Sequence, residues 1–293
     1  MEFGLCLPNY GKYLSPESIV SLAMLAEELG YSDIWTTDHI VIGRRHPYPY
    51  GSIFESWTTL SYVAAKTSNI RLGTSIIVLP LRNAILLAKQ AATLDNLTRG
   101  RLILGVGAGW ERYEFEAMGA SFKDRGKLMD EQIRLMKTLW KSGEPEFEGS
   151  YYRVRNVIFK PLPYRKGGPP IWVGGNSDRA VRRAIELGDG WHFTGLWINE
   201  LKQKIKKIRE ARPNLTISGR ISIDPLLKNI KRYISASGET RVILGGSPDQ
   251  IAEQLSQYKR AGVNHVAVSL GDKPEKELAK LMNIFMREII PSI

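Results

Sequence analysis

Asp38 and His39, side by side, carry the most chemistry in this chain of 293 residues. An imidazole gives or takes a proton near neutral pH, and a neighbouring carboxylate can hold the ring or a hydroxyl. The pair closes a short segment, residues 33 to 37, that reads as a strand. A second candidate follows the apolar residues Leu102, Ile103 and Leu104, where Gly105, Gly107 and Gly109 recur at every second position. Three such glycines exceed what a turn needs, and they predict a loop whose backbone N–H groups approach a ligand. Trp110, Glu111 and a helical start come next, so the dinucleotide spacing G-x-G-x-x-G is not met. A third candidate is Gly174, Gly175, Asn176 and Ser177, just before a helix predicted from Asp178. Free N–H groups and the helix dipole make that start a phosphate site; the plainer reading is a helix cap.

Other chemistries find no support. His46, His192 and His265 show no metal-ligand spacing with a carboxylate, so no metal is expected, and His265 reads as structural. No nucleophile elbow or Ser-His-Asp pattern is visible.

The elements that position these residues alternate. Short apolar runs at 3–8, 33–37, 70–79, 101–106, 171–174, 191–194, 216–223 and 265–270 read as strands. Helical stripes lie between them, opened by Ser15 with Pro16 and by Ser247 with Pro248, and closed by glycines such as Gly30 and Gly262. Eight strands with no linker predict one α/β domain over residues 1–293. It is a (β/α)8 TIM barrel with a small extended insertion after strand four, at 149–159. An open doubly wound sheet is the rival, which short apolar runs alone do not exclude. Residues 224–246 carry no readable pattern. In a barrel the C-terminal strand ends share one face, which gathers Asn9, Asp38, His39, Thr74, Ser75, Gly107 to Trp110, Gly174 to Ser177 and Thr194. Gly73, Thr74 and Ser75 inside strand three mark a bulge or a close backbone approach.

Composition narrows the class further. No apolar run is long enough for a bilayer span, and Met1 and Glu2 lead straight into a strand without room for a signal peptide. One cysteine, Cys6, excludes an internal disulfide, so a cytoplasmic protein is expected. The net charge is +11, partly in residues 202–212, where Leu201, Ile205 and Ile208 give a helix with a solvated basic face. Interleaved aromatics are missing there, which argues against nucleic acid; an anionic small ligand suits the diffuse field better.

The stretches LCLPNYGKY, DIWTTDHIV, IRLGTSIIVLPLRN, GRLILGVGAGWERYEFEAMG and PPIWVGGNS resemble the bacterial-luciferase-like superfamily. They look most like its oxidoreductases that use the deazaflavin coenzyme F420, and the likeness runs from Phe3 to about Leu270. The resemblance implies a (β/α)8 barrel, a homodimer, and hydride transfer between the deazaflavin and a small substrate. It implies that Asp38 and His39 meet cofactor and substrate, and that Thr74, Ser75 and Ile76 support the ring through a cis Ser75–Ile76 peptide. Gly107, Ala108 and Gly109 match the loop beside the ring, and Gly174 and Gly175 match the phosphate site. Some relatives carry a catalytic acid directly after the glycine loop; this chain has Trp110 there and Glu111 next, which makes Glu111 the candidate. Asn9, Arg44, Trp110 and Thr194 are the expected substrate residues, Arg44 from the divergent entrance loop. The alternatives are an FMN-dependent monooxygenase of the same superfamily and a cofactor-binding protein without catalysis.

Overall fold

Eight parallel strands run in chain order and close on themselves: β1 (Glu2–Cys6), β2 (Asp33–Thr36), β3 (Arg71–Thr74), β4 (Leu102–Gly107), β5 (Ile171–Gly174), β6 (Gly190–Thr194), β7 (Thr216–Ile223) and β8 (His265–Ser269). Closure is made where Phe3 of β1 sits opposite Val266 of β8. The computed structural model describes residues 1–293. The strands are buried on both faces, which is why they read as continuous apolar runs rather than alternating ones.

The surrounding helices are α1 (Pro16–Glu28), α2 (Ser56–Ala64), α3 (Ala84–Leu97), α4 (Arg112–Ala117), α5 (Arg125–Lys141), α6 (Asp178–Leu187), α7 (Ile198–Ala211), α8 (Pro248–Arg260) and α9 (Glu275–Ile284). Side chains cap α1 and α8 as expected. Ser15 accepts from the Ser18 N–H, and Ser247 and Gln250 form a reciprocal capping box. The large apolar core lies between strands and helices. A small cluster of Cys6, Trp35, Ile103, Trp172 and Ala267 fills the barrel interior. None of the helices is long and apolar enough to cross a membrane.

Three places differ from a plain barrel. Strand three stops at Thr74 and resumes at Ile77–Val78, and the Ser75–Ile76 peptide between is cis. The insertion after β4 contains a hairpin of Phe147–Glu148 with Arg153–Val154, a shorter extended piece than 149–159 suggests. Residues 224–246 hold a second hairpin, Lys231–Ile234 with Thr240–Leu244, whose inner strand pairs with the end of β7.

Candidate active site

Asp38 and His39 follow β2 and turn to different partners. Asp38 accepts from the Val78 N–H at 2.9 Å and from Arg82 Nη2 at 2.6 Å. Burial pushes its carboxyl above the usual range, against the pull of Arg82. His39 instead places Nδ1 3.0 Å from Oε2 of Glu114 on α4, whose other oxygen takes the Ile40 N–H at 2.5 Å. His39 Nε2 has no partner within the chain. The rings of Tyr50 and Trp110 flank the imidazole at 4.8 and 5.5 Å.

The glycine run that begins in β4 is also a place of close approach within the chain. A Cβ on Gly105 would fall 1.8 Å from Thr74 O, one on Gly107 2.0 Å from Ile76 Cδ1, and one on Gly109 2.6 Å from Val78 Cγ1. The missing side chains make room for the interrupted third strand, and Gly107 and Gly109 also border the cleft described below. A Cβ on Gly174 would also meet Ile76, at 2.8 Å. Ile76 is thus seated in a hollow between β4 and β5, and the Ser75–Ile76 backbone is held as a ledge at the barrel mouth.

Above that ledge lies a cleft of about 320 Å³. Asp38, His39 and Trp110 form one wall, Ser75 and Ile76 the floor, and Gly107, Ala108 and Gly109 the side. The far end holds Gly174, Gly175, Asn176, Ser177 and Thr194. Ser177 caps α6 by accepting from the Ala180 N–H, and Asn176 is tied to the Thr194 backbone at 2.9 Å in both directions. Four expected residues lie off this lining. Asn9 is wholly buried and spends its amide on the backbone of Thr37 and Phe54. Thr74 donates to Gly105 O at 2.7 Å, inside the sheet. Arg44 is exposed on its loop. Glu111 caps α4 through the Tyr113 N–H at 3.1 Å, and its buried Oε2 has no hydrogen-bond partner.

Residues 1–224 match the family described as luciferase-like monooxygenase. The chain belongs to this family. Among its relatives, the F420-dependent glucose-6-phosphate dehydrogenase of Nocardia farcinica is 26% identical, over 95% of this chain and 94% of that protein. An uncharacterized protein of Mycobacterium tuberculosis (strain ATCC 25618 / H37Rv) is 31% identical over 77% of this chain and 84% of its own length. In fold, the chain is similar to an F420-dependent secondary alcohol dehydrogenase in complex with an F420–acetone adduct. That match has a TM-score of 0.80 and 20% identity, and it covers 99% of this chain and 98% of the other.

Within this luciferase-like barrel, several cleft residues escape a reading of the sequence. Arg125 reaches the cleft from α5 and donates only to the backbone oxygens of Gly109 and Phe122. Burial, then the like charge of Arg179, pulls its guanidinium below the ordinary value. Glu114 lies 75 positions from His39. Arg220 does leave a trace, because it is the one charged residue in the apolar strand β7. Beneath the ledge a line of buried polar groups descends through the barrel. Ser75 Oγ lies 2.9 Å from His192 Nε2, His192 Nδ1 2.8 Å from Ser218 Oγ, Ser218 Oγ 2.7 Å from His265 Nδ1, and His265 Nε2 2.7 Å from Asp33 Oδ1. Burial opposes ionisation of Asp33, but His265 and Arg71 outweigh it and bring the carboxyl down to about 2. His192 is lowered to about 3, first by burial and then by the charges of His265 and Arg220.

Proposed function

We propose that this protein is an oxidoreductase that moves a hydride between coenzyme F420 and a small organic substrate. The F420-dependent relative matched along nearly the whole chain supports this reading. The cleft's own chemistry carries it. A backbone ledge forms its floor, and its lining includes both the N-terminus of α6 and Arg125, a cation with no carboxylate partner. That pairing fits a flat ring joined to an anionic tail, because N–H groups at a helix start and an unpaired guanidinium both favour an anion.

When bound, the coenzyme supplies a two-electron hydride donor or acceptor at C5 of its ring. The residues of this chain do the rest. Ile76, wedged against Gly107 and Gly174, fixes the height of the floor on which a ring rests. Asp38, held by Arg82 and the Val78 N–H, keeps the wall beside it in place. His39, oriented from behind by Glu114, takes or gives the substrate hydroxyl proton at Nε2. Tyr50 and Trp110 shield that nitrogen from bulk water. Tyr62, Ile85, Leu86 and Leu97 stand exposed on α2 and α3, and this apolar face supports a homodimer, which light scattering on the purified protein tests.

The deciding experiment is a fluorescence titration of the purified protein with F420 and, separately, with FMN. F420 binds at least tenfold tighter, a gap of about 1.4 kcal/mol. Equal or reversed affinities overturn the assignment in favour of a flavin enzyme.

A further inference from the structure

A second cavity, of about 410 Å³, adjoins the cleft and shares Tyr50, Trp110, Thr194, Arg220, Ser237 and Arg241 with it. Tyr10, Tyr48, Tyr50, Tyr233 and Trp110 give it an aromatic lining. Arg220, from β7, stands where the two spaces meet, and it is 9% exposed. Its guanidinium donates to Tyr10 Oη at 2.6 Å, Thr37 Oγ1 at 2.9 Å and Ser75 O at 3.4 Å. All three acceptors are neutral.

The carboxylates around both cavities are already engaged. Asp38 pairs with Arg82, Glu239 with Arg241 at 3.0 Å, and Asp272 accepts the backbone N–H groups of Lys12 and Tyr13 at 2.8 and 3.3 Å. Asp33, deeper in the barrel, is taken by His265 and Arg71. Cys6 does not supply a charge either, because burial pushes its thiol up to about 11 despite the pull of Arg220. A buried cation without a counter-charge is costly, and the cost is relieved when a ligand brings the anion. A second donor waits nearby: Arg241 Nε is buried and has no hydrogen-bond partner.

We propose that the second cavity is the substrate chamber and that Arg220 holds the carboxylate of a small aromatic organic acid there. A guanidinium fork matches a carboxylate in geometry and charge, and the tyrosine and tryptophan faces suit a flat ring. The inference takes the neighbouring cleft as the coenzyme site, and so rests on the oxidoreductase reading.

Benzoate and its neutral isostere benzamide test it by calorimetric titration of the purified protein, with and without saturating F420. Benzoate binds the unaltered protein at least tenfold tighter than benzamide in both states. Arg220→Gln abolishes that preference. Arg220→Lys, which keeps the charge but loses the fork, weakens benzoate and retains part of the preference; it answers the question should the glutamine variant not fold. Equal binding of the two probes to the unaltered protein overturns the proposal. So does an Arg220→Gln protein that loses F420 tenfold and still prefers benzoate, because Arg220 then serves the coenzyme. A protein that ignores F420 yet prefers benzoate through Arg220 supports the acid chamber and overturns only the choice of coenzyme.

Discussion

His39 Nδ1 and Glu114 Oε2 stand 3.0 Å apart, both on buried side chains. The carboxylate that orients the imidazole thus comes from α4 rather than from the adjacent Asp38. His39→Ala therefore lowers turnover by about a hundredfold with F420 affinity nearly unchanged. Glu114→Ala lowers it by roughly tenfold, because the ring loses its support while Nε2 remains. Glu114→Gln, which still offers an oxygen, falls between Glu114→Ala and the unaltered protein. Steady-state kinetics beside a coenzyme titration check this; a Glu114→Ala enzyme of normal turnover would refute the positioning role.

Gly107 and Ile76 make a second testable pair. Gly107→Ala drives a methyl into Ile76 Cδ1 and is expected to cost about 1–3 kcal/mol, as overpacking does. Ile76→Val removes that terminal carbon. The double variant should recover at least about 0.5 kcal/mol relative to the sum of the single changes, measured by urea unfolding. Strict additivity would mean that the two residues do not share the space.

At the far end of the cleft, Arg125→Ala should weaken F420 by about tenfold, or 1.4 kcal/mol, and flatten the salt dependence of binding. Folding should hold, because the substitution removes one of two like charges, Arg125 and Arg179. Gly175 has φ of +123° and its missing Cβ lies 3.1 Å from Ala180 Cβ. Gly175→Val should therefore lose both affinity and some stability, where Arg125→Ala loses affinity alone. Unchanged F420 binding in both variants would place the anionic tail elsewhere.

Acid should unfold this protein through His192. In the unfolded chain a histidine takes a proton near pH 6.5, whereas folded His192 stays neutral down to about 3. The unfolded state binds more protons in that window, so stability falls with falling pH by up to about 1.4 kcal/mol per unit. Asp33, lowered to about 2, adds a second loss from about pH 4 downward. Urea unfolding between pH 7 and 5 measures the first effect. His192→Asn starts from lower stability and shows a shallower slope; an identical slope would remove His192 from the account.

The barrel was legible because its strands are buried on both sides. Residues 171–174 and 216–223 read as strands at their true limits, and serine–proline pairs mark the starts of α1 and α8. Lys231–Ile234 did not stand out, because its side chains are largely exposed and carry no apolar alternation. Asp38, His39 and Ser75 could be placed at strand ends by counting strands, and Ile76 through the resemblance to the family. Glu114 and Arg220 could not, since their partners His39 and Thr37 lie 75 and 183 positions away. The glycines that begin in β4 show what spacing alone conveys. Their spacing marks a close approach, but not whether a ligand or another strand makes it.

The line from Ser75 to Asp33 has a direction. With Asp33 ionised, His265 donates from Nε2. If that is its only ring hydrogen, Ser218 donates to His265, His192 donates to Ser218, and Ser75 spends its hydroxyl hydrogen on His192. A molecule on the ledge then meets a lone pair. The barrel core thus ties the hydrogens of its lower end to its mouth, where they fix what Ser75 offers.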